Sequence, residues 1–388
     1  MTATSEQPNS ATGEADGQSL ATGSVGPALL AIEQALRGTG TWATAHLLVT
    51  QATSGPVDAG RHAGLYYGGP AILFTLNAAT ADGHERYAAA RQHLTLHVRR
   101  LVRERLTDAD NRLRRGQAAA FGEYDLFYGL NGLGALLLRD LPDSDELADL
   151  LTYVTRLTEP HTDDAQQLPG WWVDHDPDPT LPTPGGHANL GMAHGAAGLL
   201  ALLALALRGG RQVDRQTEAI ERLCAWFERW QQYSAHGPWW PQWLTRDDFR
   251  TGRPTQERPG RPSWCYGTPG IARALQLAAI ATNQPARQAA AETALAASLT
   301  STQLDQLTDP GICHGLAGLH ATTYRASQDA LTSDIAAQLP ALTQRLRRVP
   351  RTDHTGFLTG GSGCLLASET ARTSTPPLTR WDACLLIA

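Results

Sequence analysis

No stretch of this sequence is long and apolar enough to cross a bilayer as a helix. The longest apolar run, AAGLLALLALAL at 196–207, falls short of the roughly 20 residues that a span needs. It reads as a helix buried in a globular body. The amino-terminal segment lacks the basic and apolar blocks of a secretory signal, which predicts a cytoplasmic protein. There is no block of basic residues interleaved with aromatics, and the net charge is −6; both point away from a nucleic-acid partner. No G-x-G-x-x-G follows a strand, and neither G-x-x-x-x-G-K-S/T nor G-x-S-x-G occurs. The commonest phosphate cradles and the nucleophile elbow are thereby excluded. No carboxylate pair suited to glycoside chemistry stands out. Cysteine is scarce, with five residues in 388, an odd set that argues against a disulfide framework and frees some thiols to be ligands.

What is present is ordinary globular material, 42% hydrophobic and 18% charged, enough for a sizeable core. Residues 1–24 hold almost no large apolar side chain. They are expected to form a disordered tail, because they cannot bury enough surface to offset their ordering entropy. Residues 25–388 carry a recurring pattern of Gly-x-x-Gly followed by an apolar helix. It reads YYGGPAIL at 66–73, FYGLNGLGALLL at 127–138, AHGAAGLLALLA at 193–204, CYGTPGIARALQLA at 265–278, CHGLAGLHA at 313–321 and LTGGSGCLLA at 358–367, with Ala71 replacing the second glycine in the first copy. The leading glycines Gly68, Gly129, Gly195, Gly267, Gly315 and Gly360 are 45 to 72 residues apart, room for one helix pair per repeat.

Between the copies lie amphipathic segments such as HERYAAARQHLTLHVRRLVRERL at 84–106 and TEAIERLCAWFERWQQY at 217–233. A helix apolar all round is buried on both sides, whereas an amphipathic one covers it and faces water. Alternating the two types predicts an all-α protein with inner and outer rings of helices. Strand signals are weak. Pro- and Trp-rich loop insertions near 159–188 and 234–263 break the rhythm; their Trp171, Trp172, Trp239, Trp240 and Trp243 could grip a peptide or pack on the ring.

Cys265, Cys313 and His314 each stand one or two places before a repeat glycine. Turns related by rotation would bring them together although they are far apart in sequence. Two thiolates and an imidazole form a Zn²⁺ set with an open fourth position, the arrangement of a catalytic rather than a structural site. Taken alone, each cysteine would be a small buried hydrophobe. Cys224 and Cys384 are assigned to packing, as is Cys364, which begins an inner helix and could face the centre. His62, His187, His236, His320 and His354 match no ligand pattern.

WCYGTPG at 264–270, CHGLAG at 313–318, AHGAAGL at 193–199, YDLFYGLNG at 124–132 and WDACLLIA at 381–388 resemble the LanC-like lanthionine cyclases. The resemblance runs from about residue 60 to the carboxyl end. It implies a double-layered α/α toroid of six to seven helical hairpins; with six glycine turns counted, a degenerate seventh would be closed by WDACLLIA. With no dehydratase-like region ahead of it, the chain resembles the stand-alone cyclase of a class I lanthipeptide system. The implied activity is a zinc-dependent, intramolecular Michael-type addition of cysteine thiols to dehydroalanine or dehydrobutyrine in a precursor peptide, leader and core, supplied by a dehydratase partner. His194 matches the family's general acid or base and Asp125 an acidic residue able to orient it. Arg261 corresponds to an arginine that could stabilise the enolate, and Tyr266 could donate to the same oxygen. Two alternatives stay open: addition of glutathione to dehydrated residues, and a non-catalytic binder of modified peptides.

Overall fold

The computed structural model describes residues 16–163, 166–178, 180–350 and 354–388. Among them, thirteen helices of ten or more residues alternate in type along the chain. In chain order they are α1 (Val25–Leu36), α2 (Trp42–Ala52), α3 (Gly69–Ala78), α4 (Ala88–Arg114), α5 (Leu130–Asp140), α6 (Asp145–Leu157), α7 (Ala196–Arg208), α8 (Gln216–Trp230), α9 (Thr268–Ala281), α10 (Pro285–Ala297), α11 (Leu316–Asp329), α12 (Asp334–Arg348) and α13 (Gly361–Thr373). The odd-numbered helices are buried on nearly every face. The even-numbered ones bury a stripe. In α6, for example, Leu147, Leu150, Leu151 and Val154 point inward while Asp149 and Arg156 face water, the three-and-four spacing that 3.6 residues per turn demands. Ser144 caps that helix by accepting the Leu147 N–H, satisfying one of its orphan donors.

Each inner helix packs on the next, α1 on α3, α3 on α5 and so on to α13, which returns to α1. The seven close a ring, and α2, α4, α6, α8, α10 and α12 each fold back on the inner helix before them. No helix among the described residues is long and apolar enough to cross a membrane.

The turns that open the inner helices are linked one to the next by backbone hydrogen bonds, from the turn before α5 round to the turn before α3. Leu126 donates to the Ala193 carbonyl at 3.0 Å, Met192 to Cys265 at 2.8 Å, Cys265 to Cys313 at 3.2 Å and Cys313 to Leu358 at 2.9 Å. Leu358 donates to Ala21 at 3.0 Å and Leu20 to Tyr66 at 2.9 Å. The second glycine of each pair is explained by close approach. A Cβ on Gly132, Gly270, Gly318 or Gly363 would stand 2.1, 2.0, 1.8 or 2.0 Å from the carbonyl oxygen six residues earlier, so the chain folds back over the first helical turn with no space for a methyl group. Gly68 alone among the six leading glycines has a positive φ, 71°.

Three sequence expectations are corrected here. The expected tail over 1–24 is ordered in its last part: Asp16–Gln18 form a turn of 3₁₀ helix, Leu20 is fully buried, and residues 1–15 lie outside the described residues. The seventh hairpin is formed by α1 and α2 at the amino end. Its turn carries Gly23-Ser-Val-Gly26, a seventh Gly-x-x-Gly that straddles the expected boundary at residue 24. WDACLLIA closes no hairpin but fills the axis of the ring. Trp381–Leu385 form a 3₁₀ helix, and Leu385 and Ile387 are fully buried. The Tyr66 hydroxyl donates to Cys384 O at 2.8 Å, Trp264 Nε1 to Leu385 O at 3.0 Å and Arg273 Nε to Ile387 O at 3.0 Å.

The two Pro- and Trp-rich insertions carry short antiparallel ribbons: β1 (His161–Asp163) with β2 (Gln166–Leu168), β3 (His187–Asn189) with β6 (Trp243–Thr245), and β4 (Gln232–Ser234) with β5 (Gly237–Trp239). Trp171, Trp172, Trp239 and Trp240 are buried, so these four pack on the ring; Trp243 is partly exposed.

Candidate metal centre and its neighbours

The stitched turns decide which side chains meet. The residue just before the leading glycine is at least partly exposed in every turn: Thr22, Tyr67, Tyr128, His194, Tyr266, His314 and Thr359. The residue one place earlier lies deeper, as at Tyr66, Ala193, Cys265 and Leu358. Chemistry-bearing residues at these two positions therefore share one rim.

On that rim Cys265, Cys313 and His314 offer donor atoms that all lie within 4.8 Å of one another. Tetrahedral bonds of about 2.3 Å to sulfur would hold two sulfurs about 3.8 Å apart, so small side-chain rotations close the set on one ion. The Cys313 thiol and the His314 imidazole bond to the Cys265 sulfur and push its pKa well below the ordinary thiol value. Asp309 and that sulfur hold the His314 imidazole up to about 9. Ser263 Oγ lies 3.6 Å from Cys265 Sγ. The same contact and burial push the Cys313 thiol well above its ordinary value, so Cys265 is the donor held as thiolate, and a thiophilic divalent ion bound to all three would displace the protons of Cys313 and His314.

Next to the centre, His194 Nδ1 is bonded to Asp125 Oδ2 at 2.6 Å. The other oxygen, Asp125 Oδ1, accepts the N–H groups of Tyr128 at 2.7 Å and Gly129 at 2.8 Å at the start of α5. Asp125 thus at once ties the turn before α5 and pairs with His194. Phe121 stacks on the His194 ring with centroids 4.9 Å apart, and Phe127 meets its edge at 4.9 Å. The Tyr266 ring lies 5.9 Å from it. Burial raises the Tyr266 pKa, so its hydroxyl stays a neutral donor. Arg261 is exposed, and its charge acts on Asp309, His314 and Cys313.

All seven expected site residues thus fall on adjacent turns. Burial pushes the thiols of Cys224 and Cys384 up to about 12, in keeping with packing; Cys364 is buried too and lies outside the cluster. Asp309, Asn189 and Ser263 were missed by sequence reasoning. Asp309 and Asn189 share with Arg261 the sixth place before a leading glycine, and that alignment could have singled them out.

Fold and site together define a closed α/α toroid with a soft three-donor set on one rim. The model of the family described as "Lanthionine synthetase C-like protein" matches residues 14–386, and the chain belongs to that family. It is 23% identical over 312 residues to the "Nisin biosynthesis protein NisC" of Lactococcus lactis subsp. lactis, covering 78% of this chain and 72% of that one. The solved structure "Nisin cyclase" superposes with a TM-score of 0.82 at 21% identity, over 96% of this chain and 93% of that one.

Proposed function

We propose that this protein is a lanthionine synthetase that closes thioether rings in a dehydrated precursor peptide. A peptide cysteine adds across the C=C bond of a dehydroalanine or dehydrobutyrine of the same peptide. The observation that carries the reading is a three-donor soft centre beside a carboxylate–imidazole pair on neighbouring turns. Cys265, Cys313 and His314 would hold Zn²⁺ with one position left over, and the ion would supply the peptide sulfur as thiolate at a pH where a free thiol, pKa about 8.5, is mostly protonated.

The remaining steps fall to side chains. As the C–S bond forms at the β-carbon, negative charge builds on the carbonyl oxygen of the dehydrated residue. The neutral Tyr266 hydroxyl and the Arg261 guanidinium are the donors available for that oxygen. His194 is held by Asp125 through Nδ1, which leaves Nε2 as its working atom. From there a proton passes to the α-carbon, the thiol proton having left the peptide, so atoms balance and mass is unchanged. A positioned acid of this kind is worth about 10²–10⁴ in rate. A separate dehydratase would supply the substrate, and a cytoplasmic location fits this role.

The test is to incubate zinc-loaded protein with a dehydrated, thiol-containing peptide and count free thiols. The wild type should consume thiols with no change in peptide mass, and His194→Ala should not. A mass gain of one glutathione, when that thiol is supplied, would instead favour the addition of an external thiol. Thiols that persist with every candidate peptide would favour a binder without catalysis.

A further inference from the structure

Two of the seven turns are built by the same device. In the turn before α11, Asp309 Oδ1 accepts the Gly311 N–H at 2.6 Å. In the turn before α7, Asn189 Oδ1 accepts the Gly191 N–H at 2.9 Å. Both residues stand six places before the leading glycine, Gly315 or Gly195. In both turns a Cβ on that glycine would lie 2.3 Å from their carbonyl oxygen. One side-chain oxygen and the main chain suffice to build the turn, and an amide does it in one case. The turn before α11 therefore needs no negative charge for its shape. Asp309 nevertheless has a second oxygen, and Oδ2 lies 3.2 Å from His314 Nε2.

We propose that Asp309 is the positioning residue of the metal centre: by accepting the Nε2–H of His314 it fixes the ring tautomer whose Nδ1 lone pair faces the ion shared with Cys265 and Cys313. The inference rests on the zinc reading above. A neutral imidazole can bind a metal only through its unprotonated nitrogen, so whatever takes the hydrogen on the other nitrogen chooses the ligand atom and the ring orientation. A carboxylate oxygen only accepts, so it selects Nε2–H. His314 sits in the partly exposed position of its turn, with 26% of its side chain open to solvent.

Asp309→Asn separates the two jobs. An amide oxygen can still accept the Gly311 N–H, as Asn189 does in the equivalent turn. The amide NH₂ then faces Nε2 and favours the tautomer protonated on Nδ1. Purified full-length wild type and Asp309→Asn are compared by thermal melting, by Zn²⁺ competition with a chromophoric chelator and by the absorption bands of bound Co²⁺. Asp309→Asn should melt like the wild type, bind Zn²⁺ about 10–100-fold more weakly and show shifted Co²⁺ bands. Unchanged zinc affinity in folded Asp309→Asn overturns the assignment and leaves the cyclase reading intact. Loss of the fold in Asp309→Asn also overturns it, because the turn would then depend on the charge. A wild type that takes up no zinc overturns both.

Discussion

At the scale of single residues, the two oxygens of Asp125 are divided between structure and chemistry. Oδ1 takes two N–H groups at the start of α5 and Oδ2 takes His194. An asparagine oriented by the same two N–H groups would keep the turn but present an NH₂ to His194. Asp125→Asn should therefore melt close to the wild type while cyclisation slows by about 10²-fold or more. Following thiol consumption and the thermal transition side by side checks this; equal rates would show that His194 needs no orienting carboxylate. The three proposed ligands sit on turns already fixed by backbone bonds such as Cys265 N–H to Cys313 O. Removal of zinc by a chelator should then stop thiol consumption yet leave the helical circular dichroism intact, unlike domains that fold only around their metal.

At the scale of elements, the second glycine of each pair is the most demanding position. An alanine at Gly318 would press its Cβ to 1.8 Å from the Ile312 carbonyl oxygen and 2.8 Å from its carbon. Backbone cannot yield as a flexible side chain can. Gly318→Ala is expected to cost about 3 kcal/mol or more, read as a lower urea midpoint at unchanged slope. The α11–α12 hairpin also carries a pH dependence. His320 on α11 is buried with Nε2 against Thr343 Oγ1 of α12, and desolvation lowers its pKa to about 4. A histidine depressed below its unfolded value of about 6.5 is neutral when folded. Its stabilising contribution is complete above pH ~6.5 and is lost as pH falls towards 4, at up to about 1.4 kcal/mol per pH unit. Denaturant titrations at pH 7 and 5 should show a smaller loss in His320→Leu than in the wild type.

The repeat made the inner helices legible, because glycine spacing and all-round apolarity are local signals, and the centre followed from equivalent positions in two turns. Gly23-x-x-Gly26 is hidden because the segment ahead of it is poor in large apolar residues and its partners, Tyr66 and Leu358, are remote in sequence. Asp309 went unread because a carboxylate before Pro-Gly looks like any turn former. The outer helices showed the same limit: the segment read as helical from residue 84 begins its helix at Ala88, with Tyr87 in the left-handed region at φ 54°.

At the scale of the whole molecule, the ring has a bore that its own helices do not fill. The last residues occupy it. Trp381, Leu385, Leu386 and Ile387 are buried there, and the segment is gripped from around the ring: by Tyr66 ahead of α3, Trp264 ahead of α9, Arg273 on α9, and Arg325 on α11, whose Nη2 donates to Asp382 Oδ1 at 3.1 Å. Tyr66 and Trp264 also meet Phe127, at 4.8 and 6.2 Å, and Phe127 packs on His194. The plug is thus linked to His194 through Tyr66, Trp264 and Phe127. Cutting away residues 381–388 would strand the Tyr66 hydroxyl, the Trp264 indole N–H and part of the buried Arg273 guanidinium without acceptors. Each such group costs about 1–3 kcal/mol, more when charged, and the apolar bore would open to water as well. The truncated chain should keep its far-ultraviolet dichroism, bind a hydrophobic dye and lose the near-ultraviolet signal of its packed tryptophans, as a molten globule does. A truncated protein that melts cooperatively near the wild-type temperature would show instead that the two helical layers close the toroid unaided.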